Sequence, residues 1–255
     1  MNQQIKPVGL LKSIVFFGIP GILLYLSMYY LVPSIISYGI NEALGVLGSM
    51  WIITIPLIFV GLLLYKRECD SISFRGYFQF FSFKKIKKSD IKYIVIGILV
   101  CIVSEAALEP LGIFFAKSPI LAPPQYLSPP FNPLKEFTLP IEVFMGVPLK
   151  GNWLFLIVFI PLHLIAMLGE EVIWRGYLLP RQEKKYGNWA WVINGILWAW
   201  LMHCCLKWNF ISMLPSMLIT PFMALKTKNT TVSYLIHVVP NMMVWVIILI
   251  GIMGI

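Results

Sequence analysis

Two adjacent carboxylates lie inside a long apolar run of this chain. Glu170 and Glu171 are neighbours, and Arg175 follows four residues after the second. Residues four apart share a helix face, so Glu171 and Arg175 are expected to form a pair. Glu170 points about 100° away from that pair, because each residue turns a helix by this angle. The pattern predicts a structural ion pair beside a free glutamate that is suited to act as a general base.

Two histidines and an amide follow in later apolar runs. If a hairpin turns near Gly187, Glu170 lies seventeen residues before the turn and His203 sixteen after it, so both reach nearly the same depth. His237 and Asn241 are four residues apart in the last run, on one helix face. A glutamate beside a histidine can take a proton from water, and an amide N–H can stabilise an oxyanion. Polar and ionisable groups at this depth therefore predict one functional site within the membrane.

Other ionisable groups near this set have a second interpretation. His163 stands seven residues before Glu170 on almost the same face, which favours a packing or supporting role beside the cavity. Arg175 is either the partner of Glu171 or a basic anchor at a cytoplasmic helix end. Glu105 and Glu109, also four residues apart, favour a polar edge at the membrane interface. Ionisable groups at membrane depth are costly, so each is a hypothesis for a functional site.

The composition determines which elements can position these residues. Of 255 residues, 59% are hydrophobic and 12% charged, whereas soluble domains carry about 25% charged residues. The apolar residues form runs of about twenty, the length that a helix needs to cross a bilayer. We expect one all-α integral membrane domain over residues 1–255, a bundle of seven spans with an eighth left open. The predicted spans lie near residues 14–36, 43–65, 93–115, 154–177, 189–206, 211–225 and 232–255.

The basic residues predict the orientation. Threading seven spans alternately puts sixteen of the twenty Lys and Arg on one side and leaves Lys117, Lys135, Lys150 and Lys207 opposite. By the positive-inside rule, the N-terminus is cytoplasmic and the protein is a multi-pass protein of the cell membrane. The net charge of +9 does not form a stripe along one surface, so no nucleic-acid partner is expected.

Two connections between spans are distinctive. Residues 66–92 place aromatic side chains before a basic cluster, which suits the anionic inner leaflet. Residues 117–150 contain eight prolines, too many for a continuous helix. The second connection is therefore predicted to be an external loop, with a partly re-entrant course left open.

As a set, three motifs resemble those of a known family. E-E-x-x-x-R at Glu170–Arg175, the histidine His203 in the next span, and H-x-x-x-N at His237–Asn241 are similar to the CAAX prenyl protease and bacteriocin-processing (CPBP, or abortive-infection) family of intramembrane endopeptidases. The resemblance covers residues 154–245, a CPBP-like catalytic core, while the first half is similar only in being hydrophobic. The family's second motif usually reads F-x-x-x-H, whereas the position four before His203 is Ala199. This departure bears on substrate fit.

The resemblance implies roles for these residues. Glu170 and His203 would activate a water, and His237 and Asn241 would stabilise the oxyanion, with Glu171, Arg175 and His163 in support. The substrate would be a membrane-anchored or hydrophobic peptide, of CAAX type or of the bacteriocin-processing kind, presented in the lipid bilayer.

Three alternatives remain open from the residues alone. A zinc metalloprotease would use Glu170, His203 and His237 as ligands, although no H-E-x-x-H motif is present and no cofactor is assigned. A proton-coupled transporter would relay protons through the same groups. A non-catalytic immunity protein would bind and sequester a bacteriocin-like peptide in the same cavity.

Overall fold

The computed structural model describes residues 5–129 and 131–255. It is 72% helical. The β-structure of the described residues is one short antiparallel hairpin formed by β1 (Val143–Phe144) and β2 (Val147–Pro148). The predicted all-α helical bundle is confirmed. The α-helices of the described ranges are α1 (Leu10–Leu26), α2 (Val32–Ser37), α3 (Glu42–Thr54), α4 (Pro56–Glu68), α5 (Phe74–Phe80), α6 (Lys88–Ala116), α7 (Trp153–Glu171), α8 (Leu179–Tyr186), α9 (Ala190–Leu197), α10 (Leu214–Thr227) and α11 (Thr230–Met253).

Five helical segments of the described chain are long and apolar enough to cross a membrane. They are Leu10–Ser37, Glu42–Glu68, Lys88–Ala116, Trp153–Met202 and Thr230–Met253. The fourth segment bends at a 3-10 turn, Gly187–Trp189, close to the hairpin turn expected from the sequence. The helix α10 has 14 residues, shorter than the roughly 20 that an upright span needs. The count of seven crossings therefore stays a prediction.

The boundary predicted for the fifth span is wrong at its C-terminal end. The prediction extended the helix to residue 206, but the helix ends at Met202 and the chain then turns back through residues 203–213. The turn is held because Trp200 Nε1 donates to the carbonyl of Phe210 at 2.9 Å. Burial of the Trp208 side chain in the core holds it as well. His203 therefore lies directly after the end of a helix.

Small residues allow the helices around the centre of the bundle to approach closely. A Cβ atom on Gly21 of α1 would lie 1.9 Å from the carbonyl oxygen of Leu201. A Cβ atom on Gly169 would lie 2.3 Å from the carbonyl oxygen of Thr54. Side chains at these two positions would clash with backbone, so glycine is required where α7 and the segment after α9 cross their neighbours. These close crossings fix Glu170 and the residues before His203 against rigid helices.

The basic loops meet at one end of the bundle. The backbone N–H of Lys84 donates to Asn229 Oδ1 at 3.1 Å, and Val8 N–H donates to the carbonyl of Arg181 at 3.1 Å. Arg181 also pairs with Glu68 at the end of α4. The alternate threading of the spans requires this grouping of the N-terminal segment and the basic loops.

The proline-rich segment at the opposite end is packed onto the helices. Ser128 N–H donates to Glu42 Oε1 at 2.8 Å, and the Tyr126 hydroxyl donates to the Met28 carbonyl at 2.6 Å. Burial raises the pKa of the Tyr126 phenol, so this donor keeps its proton at physiological pH. Leu127 and Phe144 are fully buried. The segment forms a fixed cap over the bundle.

Candidate active site

A cavity of about 720 Å³ opens between the helices, a volume typical of ligand sites. Its wall contains Glu170, His203, His237, Asn241 and His163, so the structure brings all five of these predicted residues to one space. Three elements contribute them: α7, the turn after Met202, and α11. The sequence predicted one shared site for these residues, and their catalytic roles stay a prediction.

Two π-helical turns border the cavity. The first, Val172–Leu178, begins directly after the paired glutamates, and the second, Trp198–Met202, ends at His203. A π turn inserts one residue into a helix and shifts every following side chain, and such turns are frequent at functional sites. The turns therefore aim the side chains of Arg175, Trp198 and His203 differently from a regular α-helix.

Glu171 is the centre of a buried charge cluster. Arg175 Nη1 and His237 Nδ1 each lie 3.2 Å from Glu171 Oε1. The side chains of Glu171 and Arg175 are fully shielded from solvent, at 0% exposure each. The Arg175 contact is an ion pair without the alignment of a hydrogen bond, since its three guanidinium nitrogens have no hydrogen-bond partner among the described residues. The sequence predicted the Glu171–Arg175 pair, whereas no sequence spacing indicated the link to His237 on a distant helix.

Glu170 is held by a different partner. Trp198 Nε1 donates to Glu170 Oε2 at 2.9 Å, and the glutamate is 8% exposed. The Arg175 guanidinium lies over the same indole ring, 3.5 Å from its centroid. Glu170 is thus separate from the ion pair, as the helix geometry predicted. Trp198 is a site residue that the sequence interpretation missed.

In both His203 and His237, the ring nitrogen Nδ1 faces a protein acceptor. His203 Nδ1 lies 3.0 Å from the carbonyl oxygen of Trp198, which can only accept. His203 Nδ1 therefore carries a proton, and in the neutral ring Nε2 is an acceptor. His237 Nδ1 faces Glu171 Oε1, so this nitrogen also donates. His237 can donate from Nε2 as well only in the imidazolium form of the ring.

His163 and Asn241 supply neutral donors. Trp245 Nε1 donates to His163 Nδ1 at 2.9 Å, so a neutral His163 ring carries its proton on Nε2. The Asn241 amide donates one hydrogen to the carbonyl of His237 at 2.8 Å, and its side chain is exposed. Its second amide hydrogen is left for a ligand in the cavity.

The third long span contributes two carboxylates. Glu105 and Glu109 of α6, which the sequence favoured as an interfacial edge, lie on the cavity wall, and Ser216 Oγ donates to Glu105 Oε1 at 3.0 Å. The helices α6 and α11 are tightly packed at Gly97, where a Cβ atom would lie 2.4 Å from Ile236 Cδ1. Toward the other end, Glu105, Glu109 and Asn241 are exposed while lining the cavity. The cavity is therefore open between α6 and α11.

The metal alternative can be compared with this geometry. No group of three or more His, Cys, Asp and Glu side chains in the described ranges is placed to hold a metal ion together. Glu170, His203 and His237 instead have separate partners, namely Trp198 Nε1, a backbone carbonyl and Glu171. These three side chains do not form a zinc ligand set in this structure.

In a comparison with known protein families, residues 152–243 match the family model described as Type II CAAX prenyl endopeptidase Rce1-like. No curated protein and no solved structure matches the chain. The matched range begins at Asn152, the N-cap of α7, and ends within α11, so it contains Glu170, His203, His237 and Asn241. Residues 152–243 therefore match the Rce1-like family model of the type II CAAX prenyl endopeptidases, within a multi-pass helical membrane protein.

Proposed function

We propose that this protein hydrolyses a peptide bond of a membrane-anchored CAAX-type peptide with a water activated by Glu170 and His203. The observation that carries the proposal is the convergence of Glu170, His203, His237 and Asn241 on one cavity among apolar helices. The Rce1-like match over residues 152–243 supports the reaction class. In such a peptide a lipidated cysteine lies three residues before the C-terminus, which anchors the substrate at the bilayer.

The first step is the attack of water on the scissile carbonyl carbon. Glu170 has one oxygen bonded to Trp198, which leaves Oε1 to take a proton from water. His203 Nε2, an acceptor in the neutral ring, holds the second water proton and orients the oxygen lone pair. The new carbon–oxygen bond forms as the carbonyl becomes a tetrahedral oxyanion. Glu170 then returns its proton to the leaving amine as the carbon–nitrogen bond breaks.

The oxyanion needs donors that are fixed before the reaction. The free amide hydrogen of Asn241 and the Nε2–H of a protonated His237 are the donors that the geometry offers. Each such donor contributes about 2.7–4 kcal/mol to transition-state stabilisation in enzymes. Glu171 Oε1 orients the His237 ring through Nδ1, and Arg175 lies against the same carboxylate oxygen.

The opening between α6 and α11 supports a substrate that arrives from the membrane. A lipidated peptide can enter sideways there, with its chain in the bilayer and its C-terminal residues in the cavity. The carboxylates Glu105 and Glu109 and the amide of Asn241 line this entrance.

His163 is expected to bind substrate backbone rather than to take part in the proton transfers. It lies seven residues before Glu170, about 10 Å along the helix. We expect His163→Ala to raise KM at least about five-fold with kcat nearly unchanged, because the lost Nε2–H donor acts on bound peptide. Initial rates against peptide concentration in vesicles test this. A loss in kcat alone would contradict the assignment.

The basic end of the bundle is proposed to face the cytoplasm. Lys84 lies at that end and Lys117 at the opposite one, and both side chains are exposed. In a background with the four natural cysteines changed to alanine, an impermeant thiol reagent added to intact cells should label Lys117→Cys and spare Lys84→Cys. Labelling of Lys84→Cys without lysis would overturn the orientation.

A further inference from the structure

Trp198 contacts four side chains of the site, those of Glu170, His203, His237 and Arg175. Its indole N–H donates to Glu170 Oε2 at 2.9 Å, and its carbonyl oxygen accepts from His203 Nδ1 at 3.0 Å. Its ring packs edge-on against His203 and His237, with centroid distances of 5.6 Å and 5.0 Å. The guanidinium of Arg175 covers the ring face. The side chain is 2% exposed.

The π turn explains why this residue was not evident from its spacing. His203 N–H donates to the carbonyl of Trp198, five residues earlier, at 3.2 Å. In an α-helix the same bond would link His203 to the residue four positions earlier. Trp198 therefore accepts the backbone hydrogen bond from His203 that residue 199 would accept in a regular α-helix. The family's second motif has an aromatic residue four positions before the histidine, where this chain has Ala199. Because the π turn inserts one residue, the aromatic Trp198 takes that structural position.

We propose that Trp198 is the positioning residue that holds Glu170 and His203 in register for the attack of water. The indole N–H fixes one glutamate oxygen, which directs the other toward the water. The carbonyl of the same residue fixes the ring of His203 with Nε2 as acceptor. One rigid side chain thereby links the base on α7 to the histidine after α9. The inference rests on the proposed function.

The experiment compares four proteins in vesicles with one probe, a synthetic peptide with a farnesylated cysteine three residues before its C-terminus. They are the wild type, Trp198→Phe, Trp198→His and the matched control Trp200→Phe. Trp200 lies in the same π turn and also donates one indole hydrogen bond, to Phe210, but it does not line the cavity. The histidine nitrogen Nε2 and the indole nitrogen Nε1 are separated from Cβ by the same number of bonds. Trp198→His therefore retains an N–H donor for Glu170.

We expect Trp198→Phe to lower kcat roughly ten- to hundred-fold with KM changed less than about two-fold, the effect of losing one hydrogen bond to a charged group. Trp198→His should recover at least about half of this loss on a logarithmic scale, and Trp200→Phe should keep wild-type kcat. An unchanged kcat in Trp198→Phe would overturn the inference. Equal losses in Trp198→Phe, Trp198→His and Trp200→Phe would also overturn it, because the effect would then be structural. Absence of cleavage by the wild type would instead overturn the proposed function itself.

Discussion

Replacing Glu170 with glutamine is expected to abolish peptide cleavage while the protein stays folded. The substitution keeps the size of the side chain and an oxygen that can accept from Trp198 Nε1. It removes the group that takes a proton from water, and general-base catalysis contributes about 10²–10⁴-fold. We therefore expect kcat to fall by about 10³-fold, with an unchanged melting temperature in detergent.

The controls for Glu170→Gln separate the competing mechanisms. Glu109→Gln alters another carboxylate of the same cavity and should reduce kcat less than about ten-fold, because Glu109 has no role in proton transfer. The wild type assayed with and without a chelator, alongside metal analysis, measures any dependence on zinc. Cleavage by Glu170→Gln at the wild-type rate would refute both enzymatic mechanisms. Binding of a bacteriocin-like peptide without cleavage, equal in both proteins, would favour the sequestering protein.

The second large effect is expected on stability, from Glu171→Gln. The change leaves the Arg175 charge fully buried without its carboxylate partner, and breaking such a buried pair costs about 3–5 kcal/mol. For a chain of this size, the melting temperature should fall by roughly 10 °C. Activity should fall as well, because His237 loses the carboxylate that orients its ring. Thermal unfolding of purified protein in detergent measures the first effect.

A surface ion pair provides the matched control for Glu171→Gln. Glu183 pairs with Lys228 at the basic end, with side chains 35% and 55% exposed. Exposed pairs contribute about 0–1 kcal/mol, so Glu183→Gln should leave the melting temperature within about 3 °C of the wild type. A double variant with Arg175→Met added to Glu171→Gln should regain part of the lost stability, since no buried charge then lacks a partner. Equal melting temperatures for Glu171→Gln and Glu183→Gln would refute the buried pair.

The sequence predicted those parts of the site that depend on local helix geometry. The Glu171–Arg175 pair and the separate direction of Glu170 follow from an angle of about 100° per residue. The common depth of Glu170 and His203 follows from the turn near Gly187, and both residues contact Trp198. Long apolar runs were enough to predict the helical bundle.

The remaining features depend on contacts between distant segments or on irregular backbone. The bond from His237 to Glu171 joins residues 66 apart in the chain, and no periodic pattern encodes it. The role of Trp198 depends on a π turn, which changes the spacing at which side chains meet. The early end of the helix at Met202 depends on the tertiary bond from Trp200 to Phe210. Tertiary packing therefore overrode the apolar pattern that predicted a longer span.

The most direct test of the account is the incorporation of solvent oxygen into the product. Purified protein in vesicles is incubated in ¹⁸O-labelled water with the farnesylated CAAX peptide, and the products are analysed by mass spectrometry. Hydrolysis by an activated water predicts one ¹⁸O atom in the new carboxylate of the lipidated fragment, and no product from Glu170→Gln. Absence of cleavage by the wild type, or labelled product from Glu170→Gln at the wild-type rate, would contradict the account.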